Sequence, residues 1–340
     1  MLQLKNGSSL LPALAVLPDR EGIDTLYVIV KGTFDLGPKV ALAEKPSPPV
    51  LADEYWGEPG VSSLKYASEM HLGKPSTDVI LVGRAWAPGG RPAPEGATMV
   101  SVAGRQKVVR VYGDRVWKGR AFSRPEPFES IPLTYERAFG GSHQATPDGP
   151  VIAEQRNPVG AGFLGKRAPG ELAGQKLPNI EHPNVMIERL GDTPPPVGFG
   201  FIAPSWLPRR ALAGTYDKNW QKTRAPYLPA DFDPAFFSCA APELIMPRHL
   251  EGGEPVKVVG ASRQGTLQFE LPRDRPTVAV KIAGATERPP ARLETVLIEP
   301  EENRLCLTWR AELRCDKKAL KVEEVVIALE AGAPAPAGRR

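Results

Sequence analysis

The chain has 340 residues, with 43 Lys and Arg against 39 Asp and Glu and a formal net charge of +4. With 24% of residues charged, this is an ordinary solvated surface, which argues against a polyelectrolyte or a dedicated nucleic-acid binder. The unusual numbers are 38 Pro and 33 Gly, the two worst residues for helix interiors, so helix is expected to be a minority.

In chain order, residues 1–9 show no long apolar run after a basic start, which does not read as a signal peptide. No stretch approaches the ~18 continuous apolar residues needed to span a bilayer, and a cytoplasmic protein is the expectation. Residues 26–36 begin as a buried apolar run and continue as an alternation, with Val28, Val30, Phe34 and Leu36 on one face. Residues 78–86 and 98–102 also read as strands. Residues 108–112 lead through Gly113-Asp114 into 115–117, and Gly at the first turn position predicts a two-residue hairpin there.

The middle differs from both flanks. Residues 125–248 hold 19 of the 38 prolines, together with Trp206, Trp220, Tyr135, Tyr216, Tyr227 and eight Phe. Disordered linkers are poor in aromatics, so this composition predicts ordered irregular structure pinned by large side chains. Asp233 before Pro234 predicts a short helix over 233–237, and residues 215–221 suit about two helical turns.

Residues 266–271, 277–282, 295–299, 304–313 and 325–329 read as strands. In 304–313, Leu305, Leu307, Trp309, Ala311 and Leu313 share one face, opposite Arg304, Cys306, Thr308, Arg310 and Glu312, the pattern of a half-buried antiparallel strand. Residues 331–340 form a Pro/Ala/Gly tail expected to fray. The expected fold is mainly β. It has antiparallel β-sandwich lobes from an N-terminal region (1–124) and a C-terminal region (249–330). The irregular Pro/Gly/aromatic-rich segment 125–248 lies across them with a few short helices.

Several residues carry potential chemistry. In Tyr135-Glu-Arg-Ala-Phe-Gly-Gly141, Glu136 suits a general base and Arg137 an anion clamp. In the structural alternative Tyr135 and Phe139 anchor a turn while Glu136 and Arg137 pair elsewhere; it is favoured because spacing fixes no second catalytic group. Asn157 and Asn179 lie in Asn/Pro/Gly turns where the side chain can bond its own backbone. Glu181 adjoins His182, but His71, His143 and His249 are isolated and Cys239, Cys306 and Cys315 are irregular, so neither metal nor cofactor is expected. Around Trp206, Arg209, Tyr216, Asp217, Trp220 and Asp231, an enzyme reading pairs Asp231 and Asp233 with Arg209 in a sugar-binding or acid/base cleft. The other reading is a loop-rich platform whose aromatics complete the core or present anchors to a partner.

At these central residues the chain resembles a bacterial family known as DUF2169. The likeness is carried by residues 135–141, 157–163, 177–181, 198–209, 213–217 with Trp220, and 228–233 with Phe236 and Phe237. Residues 269–272 and the strand pair from Thr295 to Trp309 extend it over most of the chain. The resemblance implies a non-enzymatic adaptor or chaperone that binds a type VI secretion effector and helps load it onto the VgrG/PAAR spike. The motif residues named above are then its partner-binding candidates, and exposed sheet edges offer a place for a client strand. Two alternatives stand beside it: a carbohydrate-active or hydrolytic β enzyme using Asp231, Asp233 or Glu181, and a structural accessory subunit of the secretion apparatus.

Overall fold

A computed structural model describes residues 2–37 and 39–332, so most of the expected frayed tail lies outside the described residues. From the first two thirds come strands β1 (Gln3–Asn6), β2 (Leu11–Pro18), β3 (Asp24–Leu36), β4 (Asp78–Leu81), β5 (Glu95–Val102), β6 (Arg105–Tyr112) and β7 (Ile180–Glu181). The last third adds β8 (Pro255–Val259), β9 (Thr266–Glu270), β10 (Arg275–Ile282), β11 (Ala285–Glu287), β12 (Arg292–Glu299), β13 (Arg304–Arg314) and β14 (Val322–Glu330).

These strands make three large sheets: a central one ordered β2-β3-β13-β12-β4, a second ordered β1-β14-β10-β11, and a third ordered β7-β6-β5-β8-β9. The protein is mainly β, as expected. Each large sheet draws on both ends of the chain, however, so the first and last thirds share sheets and do not form one lobe each. Within these three sheets pairing is antiparallel except for β1 with β14 and β4 with β12, which run parallel.

The alternation in β3 and β13 explains how the layers stack. Val28 lies opposite Ala311, Val30 opposite Trp309 and Phe34 opposite Leu305, so their apolar faces coincide. One end of that face buries Leu26, Val28, Val30 and Ala311 against Val278, Val280, Val325 and Ile327 of the second sheet. The other end, with Phe34, Leu305, Leu307 and Trp309, joins a larger core containing Val100, Val109 and Val256 of the third sheet.

Three expectations change. The middle of the polar face of β13 is buried: Cys306, Thr308 and Arg310 are each 2% exposed, while Glu312 at its end is exposed. Residues 67–77 and 236–239 lie over it, and its charges are paired internally, Lys31 with Glu69 at 3.1 Å, Lys74 with Asp78 at 2.7 Å and Arg310 with Glu294 at 2.7 Å. The hairpin expected at Gly113 is absent. β6 instead turns back on β5 through Ala103 and Gly104, both at positive φ, and Trp117 pairs with Phe122. Gly113 is needed for a different reason: a Cβ there would sit 1.6 Å from the Glu126 carbonyl oxygen of the chain passing alongside. Finally, residues 78–86 split into β4 and a short strand, Arg84–Trp86, paired with Ser130–Pro132.

Both expected short helices form. Helix α1 (Lys218–Thr223) is capped by Asp217, which accepts from the Trp220 N–H at 2.7 Å. The 3-10 turn Pro234–Phe237 is capped by Asp233 through the Ala235 N–H at 2.9 Å. Among the described residues, no helix is long and apolar enough to cross a membrane.

Candidate functional site

The motif residues of 135–181 form an interlocking bracket. Tyr135 is buried edge-on against Trp206, with ring centroids 5.5 Å apart. The Asn157 side-chain amide donates to the carbonyls of Tyr135 (2.7 Å) and Phe139 (3.0 Å), while the Asn157 backbone carbonyl accepts from the Gly141 N–H at 2.8 Å. Gly140, at φ +152°, gives this carbonyl its space: a Cβ would approach it to 2.1 Å. Phe139 continues inward to a small core with Trp117, Leu177 and Ile187. The Asn179 amide donates to the Tyr112 carbonyl (3.0 Å) and to Asp114 (2.9 Å), and its oxygen accepts from Arg137 (3.1 Å).

Glu181 is fully buried, with one oxygen 2.5 Å from the Arg115 guanidinium and the other accepting from the Ile187 N–H at 3.1 Å. Burial raises the pKa of its carboxyl, and Arg115 opposes that rise. The guanidinium also lies 4.2 Å from the centre of the Tyr112 ring.

The second group of sequence candidates forms an outer knuckle. Asp231 accepts from the Thr215 N–H (3.0 Å) and hydroxyl (2.7 Å), bonds that lower the pKa of its carboxyl. The Trp220 indole donates to the Tyr227 carbonyl at 2.8 Å, and Tyr216 stacks edge-on against Trp220 at 4.7 Å. Tyr216 and Tyr227 remain exposed. The carboxylates of the enzyme alternative are therefore divided: Asp231 and Asp233 hold exposed turns, and Glu181 is a buried ion-pair partner.

Glu136 and Arg137 have a different setting, on the wall of an open groove of about 570 Å³. That volume falls in the range of ligand-binding clefts. Glu136 accepts from both the N–H (2.6 Å) and the hydroxyl (2.8 Å) of Ser63, tying the 54–66 hairpin to the motif. This hairpin supplies Trp56, 46% exposed, and Lys65, whose ammonium lies 5.2 Å from the Trp56 ring centre and 5.1 Å from that of Tyr66. The Tyr66 hydroxyl donates to Glu299 at 2.6 Å, and Arg304 grips the same carboxylate at 2.7 and 3.0 Å. Together with burial, Glu299 raises the pKa of the Tyr66 phenol. Lys65, Arg84 and Arg137 line the groove together with Glu301 and Glu302. An exposed aromatic anchor between walls of both signs suits a polypeptide segment. Trp56, Lys65 and Tyr66 were not sequence candidates, because nothing local marks residues that join a motif only through Ser63 and Glu136, 73 residues apart.

A second, smaller and partly open space of about 170 Å³ lies over the buried polar face of the central sheet, lined by Lys31, Glu69, His71, Lys74, Arg209 and Cys239 among others. Lys74 reaches Asp78 (2.7 Å), the Thr295 hydroxyl (2.9 Å) and the Cys239 sulfur (3.5 Å). Desolvation would lower its pKa, but the Asp78 carboxylate outweighs this and keeps it charged. Burial, with Arg310, Lys74 and Arg209 nearby, holds His71 well below its usual pKa, so the ring stacked 5.3 Å from Phe237 is neutral. Burial likewise pushes the Cys239 thiol up to about 11, so it is an un-ionised donor to Asp78. Arg209 donates to the carbonyls of Phe236 (2.9 Å) and Ile202, with its guanidinium 5.2 Å from the Phe236 ring centre. Among the described residues no cluster has the composition of a metal site.

A family model described as an uncharacterized protein conserved in bacteria (DUF2169) matches residues 21–310. No curated protein and no solved structure matches the chain.

Proposed function

The chain belongs to the DUF2169 family, and on that premise we propose that it is a non-enzymatic adaptor that binds a type VI secretion effector and helps load it onto the VgrG/PAAR spike. The observation that supports this reading is the groove beside Glu136 and Arg137. It is open, it carries an exposed tryptophan, and its walls are held by side chains bonded to the motif itself. Such a surface recognises a protein segment by shape and an aromatic anchor, with charged walls setting register. On this reading the protein acts in the cytoplasm, before the effector leaves the cell, and the buried bracket of Asn157, Asn179 and Glu181 serves to hold the groove wall in place.

The test is co-expression with the effector and spike proteins encoded beside the gene, followed by co-purification. A stable complex with the effector is expected. Trp56→Ala should weaken it by about tenfold or more, the order of an interface hot spot, while Tyr216→Ala on the outer knuckle should leave it unchanged. Recovery of no complex with any neighbouring product would overturn the adaptor reading. Unchanged affinity in Trp56→Ala would move the binding face away from the groove.

A further inference from the structure

The cavity over the central sheet has an unbalanced cation. Among the described residues, three cations line it: Lys31, paired with Glu69; Lys74, paired with Asp78; and Arg209, which has no carboxylate partner. Arg209 is only 8% exposed, and a guanidinium carries five N–H donors. Two of these reach backbone carbonyls, those of Phe236 and Ile202. A buried charge satisfied only by dipoles and a ring face is costly, and a planar fork with spare donors is the geometry that takes a carboxylate bidentately.

The acidic groups of the lining do not compete for that fork. Glu69 accepts from Lys31, from the Thr308 hydroxyl (2.5 Å) and from the Val50 N–H (2.7 Å). Asp53, at the half-buried rim, accepts from the Ser68 N–H at 2.7 Å. Phe201, Phe236, Phe237 and Leu297 supply apolar and aromatic wall, beside the neutral His71 ring stacked on Phe237. At about 170 Å³ the space is comparable to the cavity of roughly 150 Å³ that accommodates benzene in an engineered core. Several lining residues, Ser68, Pro204 and Phe236 among them, are half-buried, which places a route to solvent beside Arg209.

We propose that this cavity binds a small carboxylate with an aromatic or branched apolar body, its carboxylate on the Arg209 fork and its body against Phe201, Phe236 and Phe237. The ligand is either a free molecule or the C-terminal residue of a polypeptide, since both offer the same group. The cavity shares the Tyr66 wall with the groove, but Arg209 lines only the cavity, and the proposal stands whether or not the adaptor reading does.

The experiment is calorimetric titration of the whole protein with benzoate and with benzamide, its neutral counterpart of the same shape. Benzoate should bind at least about tenfold more tightly than benzamide and raise the unfolding temperature. Arg209→Lys keeps the charge but loses the fork, and should weaken benzoate by about tenfold or more. Ala67→Leu fills the cavity from a different wall without touching Arg209, and should weaken both compounds. Competition by a short peptide ending in phenylalanine identifies a chain terminus as the source. Benzoate binding that such a peptide does not disturb identifies a free molecule. The proposal fails if neither compound binds at millimolar concentration, if the two bind alike, or if benzoate affinity survives in folded Arg209→Lys and Ala67→Leu.

Discussion

Replacing Arg115 by Met tests what holds the motif bracket together. The substitution keeps an unbranched stem of similar reach beside Tyr112 and Phe122, but leaves the fully buried Glu181 carboxylate with a single hydrogen bond, that from the Ile187 N–H. Removing one member of a buried ion pair costs about 3–5 kcal/mol, because the partner charge stays desolvated. The loss should depend on pH in a defined direction. Burial already raises the folded-state pKa of Glu181, and without Arg115 it rises further. A carboxyl with a raised folded pKa favours the folded state at low pH and loses that contribution as pH rises through its folded value. The deficit of the variant is therefore largest at neutral pH and shrinks on acidification. Arg115 also leaves its Nε without a partner, so the pair is imperfectly satisfied. The double variant Arg115→Met/Glu181→Leu should then recover most of the loss. Urea unfolding of the four proteins of this cycle at neutral and acid pH gives all the required numbers. A loss below about 1 kcal/mol, or one that does not shrink at low pH, would refute the reasoning.

Two further outcomes follow from the same structure. Asn157→Ala removes two buried bonds to the Tyr135 and Phe139 carbonyls and should cost about 2–3 kcal/mol, at about 1–1.5 each, measured by urea unfolding. Above pH 9, the folded state keeps protons on Cys239 and Cys306, both pushed up to about 11, while unfolded thiols ionise. Stability should therefore fall as pH rises from 9 to 11, each thiol adding about 1.4 kcal/mol per pH unit, and Cys239→Ala should remove about half of the thiol share.

Where local pattern decided the outcome, the sequence was legible. β3 and β13 alternate strongly enough to be read residue by residue, and Asp217 and Asp233 cap the short helices they precede. β2 was not legible: Leu11–Pro18 is apolar throughout with Pro12 inside it, a composition that hides any period and is tolerated because β2 is an edge strand. Alternation in β13 identified which side chains share a face, but not what covers them. Burial of Arg310 depends on Glu294 and on the Glu69 carbonyl, contributions from other strands and loops that no spacing in 304–314 encodes. Asn157 was read as a local turn former, whereas it bonds carbonyls 22 and 18 residues away. The groove was half legible, through Glu136 and Arg137; its aromatic wall arrives by tertiary folding alone.

The sharing of sheets between the two ends of the chain also sets a timetable for synthesis. β3 has its apolar residues ready early, but its inner neighbour β13 and the β14 partner of β1 are made last. At about 5–20 residues per second, the ribosome needs roughly a quarter of a minute to a minute to travel from β3 to β13. For that interval Leu26, Val28 and Val30 have only the β2 hairpin beside them, and the core they finish with does not yet exist. Folding is then rate-limited by contacts between distant parts of the chain. Truncation near the C-terminus should accordingly be felt at the N-terminal strands, and premature termination products should be the form of this protein that aggregates.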